Sequence, residues 1–367
     1  MPIYMDIHTI PGVKARNVAE AHLKDLAIQE DYGCKCMTYW IDEKRESVFC
    51  LIDAPDKDAV EELHGKAHGL IPNKIIEVSS KVVESFLGRI FDPPEATVSE
   101  TGLKVFSDAA LRTLLVTTIE DPVLLELRAG KEKANELIQQ LNLVVRKKMT
   151  EFEGSEAEHK GTGFIVSFTS ATQAVSCALS LQKDLPAKVS KEAGLRIALH
   201  AGEPVAKSPV LFGDTIQMAS NLCAVNKSGR IAITSAVQEI VSREIFLMNK
   251  KEFFMLSPQE ENQLSSVFSI LETNWDKPEF SVEDFSRAMA MSTSQLYRTS
   301  VKLTGQTPNA LLKEFRLEKA KELLKKKLYS VSQITFESGF SSPSYFTKCF
   351  KKEYGLLPVD YLNLLSR

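Results

Sequence analysis

The chain has 367 residues, 44% hydrophobic and 25% charged, with a formal net charge of −3, which gives room for two or three domains of ordinary soluble character. No apolar run approaches the roughly 20 residues of a membrane helix, and the start, MPIYMDIHTI, lacks the basic and apolar regions of a signal peptide, so no membrane partner and a cytoplasmic location are expected. The six cysteines, Cys34, Cys36, Cys50, Cys177, Cys223 and Cys349, form no paired framework and suit reduced thiols better than disulfides.

Residues 1–90 read as strand (3–9), helix (15–30), strand (35–41), strand (47–52), helix (57–68) and strand (74–78), with a tight turn at 42–46 and Asp56 as a helix cap. This βαββαβ order is the ferredoxin-like plan. Four of the six histidines fall here: His8, His22, His64 and His68. His64 and His68 are four apart on one helix and can converge on one ion, while Asp6 and His8 alternate onto one face of the first strand. Cys36 and Cys50 lie on strands that should pair. Imidazole, thiolate and carboxylate together suit nickel, zinc or copper rather than magnesium. The competing reading is a solvated histidine face at a helix end, with Cys36 and Cys50 as small core residues. The stretches MPIYMDIHTIPGV, VAEAHLKDLAIQEDYG, VFCLIDAPDKDAV and AHGLIPNKIIEV resemble a small bacterial family of ferredoxin-like nickel-binding proteins. The resemblance implies nickel or another divalent transition metal as cofactor and leaves the ligands open among His8, His22, His64, His68, Cys36 and Cys50.

Residues 91–256 open with FDPPEATVSETG, a linker by composition that follows a helix extending the first domain over 79–90. A strand (111–119), a long amphipathic helix (130–152), the hairpin EGSEAEHKGTGFIVSF, a helix (171–184), a strand (195–200), a helix (215–225) and a strand (230–234) follow, an α+β alternation. LRIALHAGEPV followed by LFGDTIQMASNL resembles the class III nucleotidyl cyclase domain, with LLVTTIEDP and HKGTGFIVSF where that family's metal-binding strands belong. Carried over by position, the two metal-binding aspartates become Thr118 and Thr162, the asparagine becomes Gln217 and the arginine Asn221. A neutral hydroxyl cannot replace a carboxylate on Mg²⁺. The resemblance therefore implies a catalytically degenerate domain that dimerises or holds a ligand; only a register shift recruiting Glu120 or Asp121 would restore a carboxylate. His159 and His200 read as structural.

Residues 257–367 begin with Ser257, Pro258 and Glu260 in a helix-start pattern. FSVEDFSRAMAMSTSQLYRTSVKLTGQTP then reads as a helix-turn-helix, capped by Ser281 and by Ser292 or Thr293, with Leu296 and Leu303 inward and Ser294, Tyr297, Arg298 and Lys302 outward. Ser300 stands at an inward position, so looser packing is expected there. Pro308 starts a long helix. A second pair of short helices follows, broken at Gly339, with Ile334, Phe340, Phe346, Phe350 and Tyr354 inward and Ser342 as N-cap before Pro343. Its second helix turns Ser344, Thr347, Lys348 and Lys351 outward, small polar and basic groups suited to base edges and phosphates. The competing reading is a small bundle with a solvated lysine face. Ile334, Gly339, Phe340, Ser342, Ser344, Tyr345, Phe346, Phe350, Lys351, Lys352, Gly355, Pro358 and Tyr361 resemble the second helix-turn-helix of the AraC/XylS transcription regulators. That resemblance implies two such units in tandem on one helical spine; Thr335 and Leu362 depart from its pattern. From Asp276 onward 15 Lys+Arg stand against 10 Asp+Glu, about +5, which leaves about −8 for the remainder.

The expectation is an α+β multidomain chain: a ferredoxin-like βαββαβ domain (1–90), a cyclase-like α+β domain (91–256) and an all-α tandem helix-turn-helix domain (257–367). It reads as a sequence-specific DNA-binding transcription regulator, with double-stranded DNA as partner, a homodimer as assembly and a transition metal such as nickel as signal. The alternatives are a nucleotidyl cyclase fused to a DNA-binding tail, and a metal-buffering protein.

Overall fold

The computed structural model describes residues 1–94, 96–98, 103–160, 163–185, 189, 192–205, 209–226 and 228–365; Thr162 lies outside them. Strand β1 (Ile3–Thr9), helix α1 (Ala15–Ile28), strands β2 (Lys35–Asp42) and β3 (Ser47–Asp53), helix α2 (Lys57–Ala67) and strand β4 (Lys74–Val78) follow the expected order. They form an antiparallel sheet ordered β2-β3-β1-β4, the ferredoxin-like wiring. Alternation along β1 decides which side chains go where. Tyr4 joins the core with Val18, Val60 and Leu63 of the two helices. Met5, with Trp40, Phe49 and Leu51, packs the opposite face against α3 (Ser80–Leu87) and against Leu114, Val205 and Phe212 of the central region.

The stretch expected to be a plain linker is tied down where it is described. A short hairpin, β5 (Thr97–Val98) with β6 (Lys104–Val105), brings Leu103 into the first core, and Phe106 stacks on Tyr39 at 4.1 Å. Arg89 lies over Trp40 at 4.4 Å and over Phe106 at 5.1 Å and pairs with Asp108.

The central region contains β7 (Arg112–Thr118), α4 (Pro122–Ala129), α5 (Lys131–Glu151), β8 (Ser155–Lys160), β9 (Gly163–Phe168), α6 (Ala171–Asp184), β10 (Arg196–Gly202), α7 (Gly213–Val225) and β11 (Ile231–Ile233). Two short helices, α8 (Ser235–Ile240) and α9 (Arg243–Met248), precede β12 (Phe253–Met255). The sheet order β12-β11-β10-β7-β9-β8 repeats the first domain's strand wiring in β10-β7-β9-β8 and adds two parallel strands. This is the cyclase-like α+β plan. Helices α4, α8 and α9 and strand β12 were not expected from the sequence.

The C-terminal region is all helical: α10 (Pro258–Asn274), α11 (Val282–Ala288), α12 (Thr293–Thr304), α13 (Pro308–Lys326), α14 (Val331–Glu337), α15 (Pro343–Tyr354) and α16 (Pro358–Leu364). Leu311 and Leu312, from the first half of α13, close one core with Phe285 and Leu296. Leu317, Ala320 and Leu324, from its second half, close another with Ile334, Phe346 and Phe350. At 19 residues α13 spans about 28 Å and carries one helix-turn-helix at each end. Ser300 does not loosen the first unit: it is buried, and its hydroxyl donates to the Gln306 carbonyl at 2.8 Å. Thr335, likewise buried, donates to the Val331 carbonyl at 3.0 Å.

Both units are seated on the central region. Leu303 packs with Val116 of β7 and Leu222 of α7, and Leu124 of α4 enters the second helix-turn-helix core. Asp121 caps α4 through the Val123 amide and accepts from the Tyr361 hydroxyl at 3.0 Å while pairing with Lys325.

Candidate metal centre and nucleic-acid interface

The histidine cluster is built from four elements on the helical side of the first sheet: β1, β3, α1 and α2. Asp6 lies mid-strand directly opposite Cys50, and His8 follows two residues on, facing the same way. Helix α2 supplies His64 in its last turn and His68 at its C-cap, and α1 supplies Asp25 from its buried face. His64 sits at the centre. Its Nε2 is 3.1 Å from Asp6 Oδ2, and its Nδ1 is 3.3 Å from Asp25 Oδ1 and 3.1 Å from His68 Nε2. His68 Nε2 also lies 3.2 Å from Asp25 Oδ1.

Two sets of donor atoms lie within 4.8 Å of one another: Asp6, His8, Cys50 and His64, and Asp25, His64 and His68. A cavity of about 160 Å³ adjoins them, walled by apolar residues such as Val13, Val18 and Leu70. Burial works against the charge on His64, but Asp6 and Asp25 outweigh it and lift its pKa to about 10. Burial likewise opposes ionisation of Asp6 and Asp25, and contact with the histidines overcomes it, holding both carboxyls below their ordinary value. Burial, with Asp6 beside it, pushes the Cys50 thiol well up, so an ion would have to displace that proton.

Asp6 Oδ1 and His8 Nε2, both buried, pair with one another at 3.1 Å but out of hydrogen-bond geometry, and neither has another hydrogen-bond partner among the described residues. A buried pair held by so poorly aligned a contact is imperfectly satisfied, and an ion ligated by both atoms would satisfy it. The mixed N, O and S donor set suits nickel, zinc or copper.

Of the six residues singled out from the sequence, His8, His64, His68 and Cys50 come together. His22 does not join either donor set; it lines the cavity and meets Tyr39 edge-on at 5.3 Å, and burial lowers its pKa. Cys36 is also outside both sets, buried in the helix-facing core with its thiol pushed up by burial. A register break between Cys36 and Thr38 sets Cys36 opposite Ile52 and Cys50 opposite Tyr39, which separates the two thiols. Asp25 was missed: an acid in an amphipathic helix reads as solvated face, and its only signal was its place on the buried stripe.

At the other end of the chain, α12 exposes Ser294, Tyr297, Arg298 and Lys302, and α15 exposes Ser344, Tyr345, Lys348 and Lys351, with Thr347 half-buried. Lys302 is partly committed: its Nζ lies 2.8 Å from Glu260 of α10 and holds that carboxyl down to about 2. Ser342 uses its hydroxyl to cap α15, accepting from the Tyr345 amide at 3.4 Å. In the central region Thr118 ends β7, and the Gln217 amide donates to Asn221 at 2.7 Å. Glu120 pairs with Arg128. His200 meets the Thr234 hydroxyl at 2.9 Å, with burial lowering its pKa to about 4, and His159 stacks on Phe164 at 4.2 Å.

Comparison with known proteins finds family matches on two stretches of the chain. Residues 4–78 match the family described as nickel responsive protein SCO4226-like, and residues 285–363 match a helix-turn-helix domain family of AraC type. Histidine kinase P4 of Formosa agariphila is 36% identical over 111 residues, 30% of this chain and 8% of that protein. The transcriptional activator RhaS of Escherichia coli is 31% identical over 136 residues, 35% of this chain and 46% of that protein. The chain thus spans less than half the length of these curated relatives. Among solved structures, SCO4226 of Streptomyces coelicolor is 30% identical, covering 21% of this chain and 94% of that one, with a TM-score of 0.20. No helix among the described residues is long and apolar enough to cross a membrane.

Proposed function

We propose that the chain is a sequence-specific DNA-binding transcription regulator whose N-terminal domain takes a transition-metal ion, with nickel the first candidate. One observation carries the DNA reading: two capped helices expose polar and basic side chains at opposite ends of a spine of about 28 Å. That length suits entry into two successive major grooves on one face of DNA, about 34 Å apart. Arg298 and Lys348 reach base edges, Ser294, Tyr297, Ser344 and Thr347 supplement them, and Lys351 holds phosphate. Lys302 and Ser342 act at the margin, because one is paired with Glu260 and the other caps its helix.

The test is footprinting and titration of the full chain on its operator and on random DNA. Arg298→Ala costs about 1 to 3 kcal/mol on the operator and little on random sequence, whereas Lys351→Ala weakens both alike. Equal loss on both DNAs for Arg298→Ala removes the base-reading role.

The ion is held by Asp6, His8, Cys50 and His64, with Asp25 orienting the His64 ring from its other nitrogen. We take the central domain to be non-catalytic. The carboxylates nearest the cyclase positions are committed elsewhere, Glu120 to Arg128 and Asp121 to a helix cap, Lys325 and Tyr361. Cyclic nucleotide formed from ATP with Mg²⁺ or Mn²⁺ would overturn that.

A further inference from the structure

We propose that the N-terminal domain holds two divalent transition-metal ions, one on each ring nitrogen of His64, with the imidazole bridging them. The proposal rests on the metal-binding reading above and goes beyond its single ion. The donors divide by the side of the ring they face. On the Nε2 side stand Asp6, His8 and Cys50; on the Nδ1 side stand Asp25 and His68. With His64 itself, the first set supplies four donors, a complete shell for a closed site. The second supplies three, the number that leaves a position for water or a small ligand. Asp25, His64 and His68 all line the cavity of about 160 Å³, which gives such a ligand access.

Charge favours the pair. Two divalent ions bring four positive charges; Asp6, Asp25, the Cys50 thiolate and a doubly deprotonated His64 bring four negative ones. The filled cluster is neutral, as a buried site needs to be. Filling it releases three protons to solvent: one from the Cys50 thiol and both N–H protons of the His64 ring. His68 keeps its proton but must move it. Its Nδ1 now accepts from the Leu70 amide at 3.2 Å, so coordination through Nε2 places the proton on Nδ1 and detaches that amide. The second ion is therefore felt in the loop after α2.

The experiment is a metal titration of the full chain with Ni²⁺ and Zn²⁺, read by native mass spectrometry, with Cu²⁺ as a paramagnetic probe. The expected result is two ions per chain and a Cu²⁺ signal weakened by coupling through the shared imidazole. His68→Ala, at a half-buried helix end, should leave one ion and restore the uncoupled signal, and the Leu70 amide resonance should move only with the second equivalent. One ion in the parent chain, unaltered by His68→Ala, overturns the bridged pair while leaving the single-ion reading standing. No ion at all overturns both. Two ions retained in His64→Ala, in protein shown to be folded by circular dichroism, also overturn the bridge.

Discussion

At His64 the imidazole is pressed between two carboxylates, 3.1 Å from Asp6 and 3.3 Å from Asp25, and its proton is held up to a pH of about 10. A group with a raised pKa contributes stability that is complete below its unfolded value, about 6.5, and lost as pH rises through the folded value. Without metal the cluster is therefore weakened by alkali through His64. It is weakened by acid through Asp6 and Asp25, whose depressed pKa values make their share fade as pH falls below the ordinary carboxylate range. An entering ion must displace the His64 proton. Metal affinity should then rise about tenfold per pH unit for each proton displaced, across the whole range from about 6.5 to about 10. Unperturbed histidine ligands would level off just above 6.5. Competition titrations with Ni²⁺ at pH 6.5, 7.5 and 8.5 on Cys50→Ala, which removes the proton that the raised thiol would also release, distinguish the two, and a plateau above pH 7 there would show that His64 is not a ligand. How much of this centre could be read in the sequence follows from distance along the chain. The pairs Asp6 with His8 and His64 with His68 are local and obey the strand and helix periods. His22 and Asp25 share one helix and differ by a single turn, and only the way α1 lies on the sheet selects Asp25.

Among the elements, the two helix-turn-helix units solve the same turn differently. Gly339 has a φ of 75°, and a Cβ there would collide with the Trp275 carbonyl and crowd Arg316, which itself donates to that carbonyl at 2.8 Å. The corresponding turn of the first unit carries Ala290 at a φ of 51°. Gly339→Ala should cost about 2 to 4 kcal/mol, combining the left-handed backbone penalty with overpacking, and should lower operator affinity by disturbing the second unit. Chemical denaturation followed by DNA titration measures both; a cost below about 1 kcal/mol would show that the close approach is relieved by a small shift. Helices announced by caps were legible to within a residue or two, as at Ser257, Ser281, Ser292 and Ser342, whose side chains all cap as expected. Helix α4 was not, because its eight residues are separated from α5 only by Gly130. Helices α8 and α9, of six residues each, are too short to establish a period.

For the whole molecule, the question is whether an ion at one end alters DNA affinity at the other. The path is continuous in space. The first sheet shares a core with the central region through Met5, Trp40 and Phe212; Leu303 of the first helix-turn-helix packs into the central region, and Leu124 of the central region packs into the second unit's core. A tenfold effect of metal on operator binding needs about 1.4 kcal/mol of coupling, and reciprocity then requires operator DNA to change metal affinity by the same factor. Calorimetry of Ni²⁺ on the full chain, with and without its DNA site, tests this. Metal affinity unchanged by DNA would make the N-terminal domain a buffer and not a sensor.

The seating of both units on one central region also bears on the geometry of the DNA site. Each base pair added between two half-sites turns the second groove by about 34° around the duplex axis. A pair of recognition helices joined only by a spine could follow part of that rotation by twisting about it. Here one unit is fastened beside β7 and α7 through Leu303, and the other at α4 through Leu124, Asp121 and Tyr361. If the two units read adjacent half-sites as proposed, their rotational phase would be set by the central region on which both are seated, and a signal that shifts α4 against β7 would change which spacing is read as well as how tightly it is held.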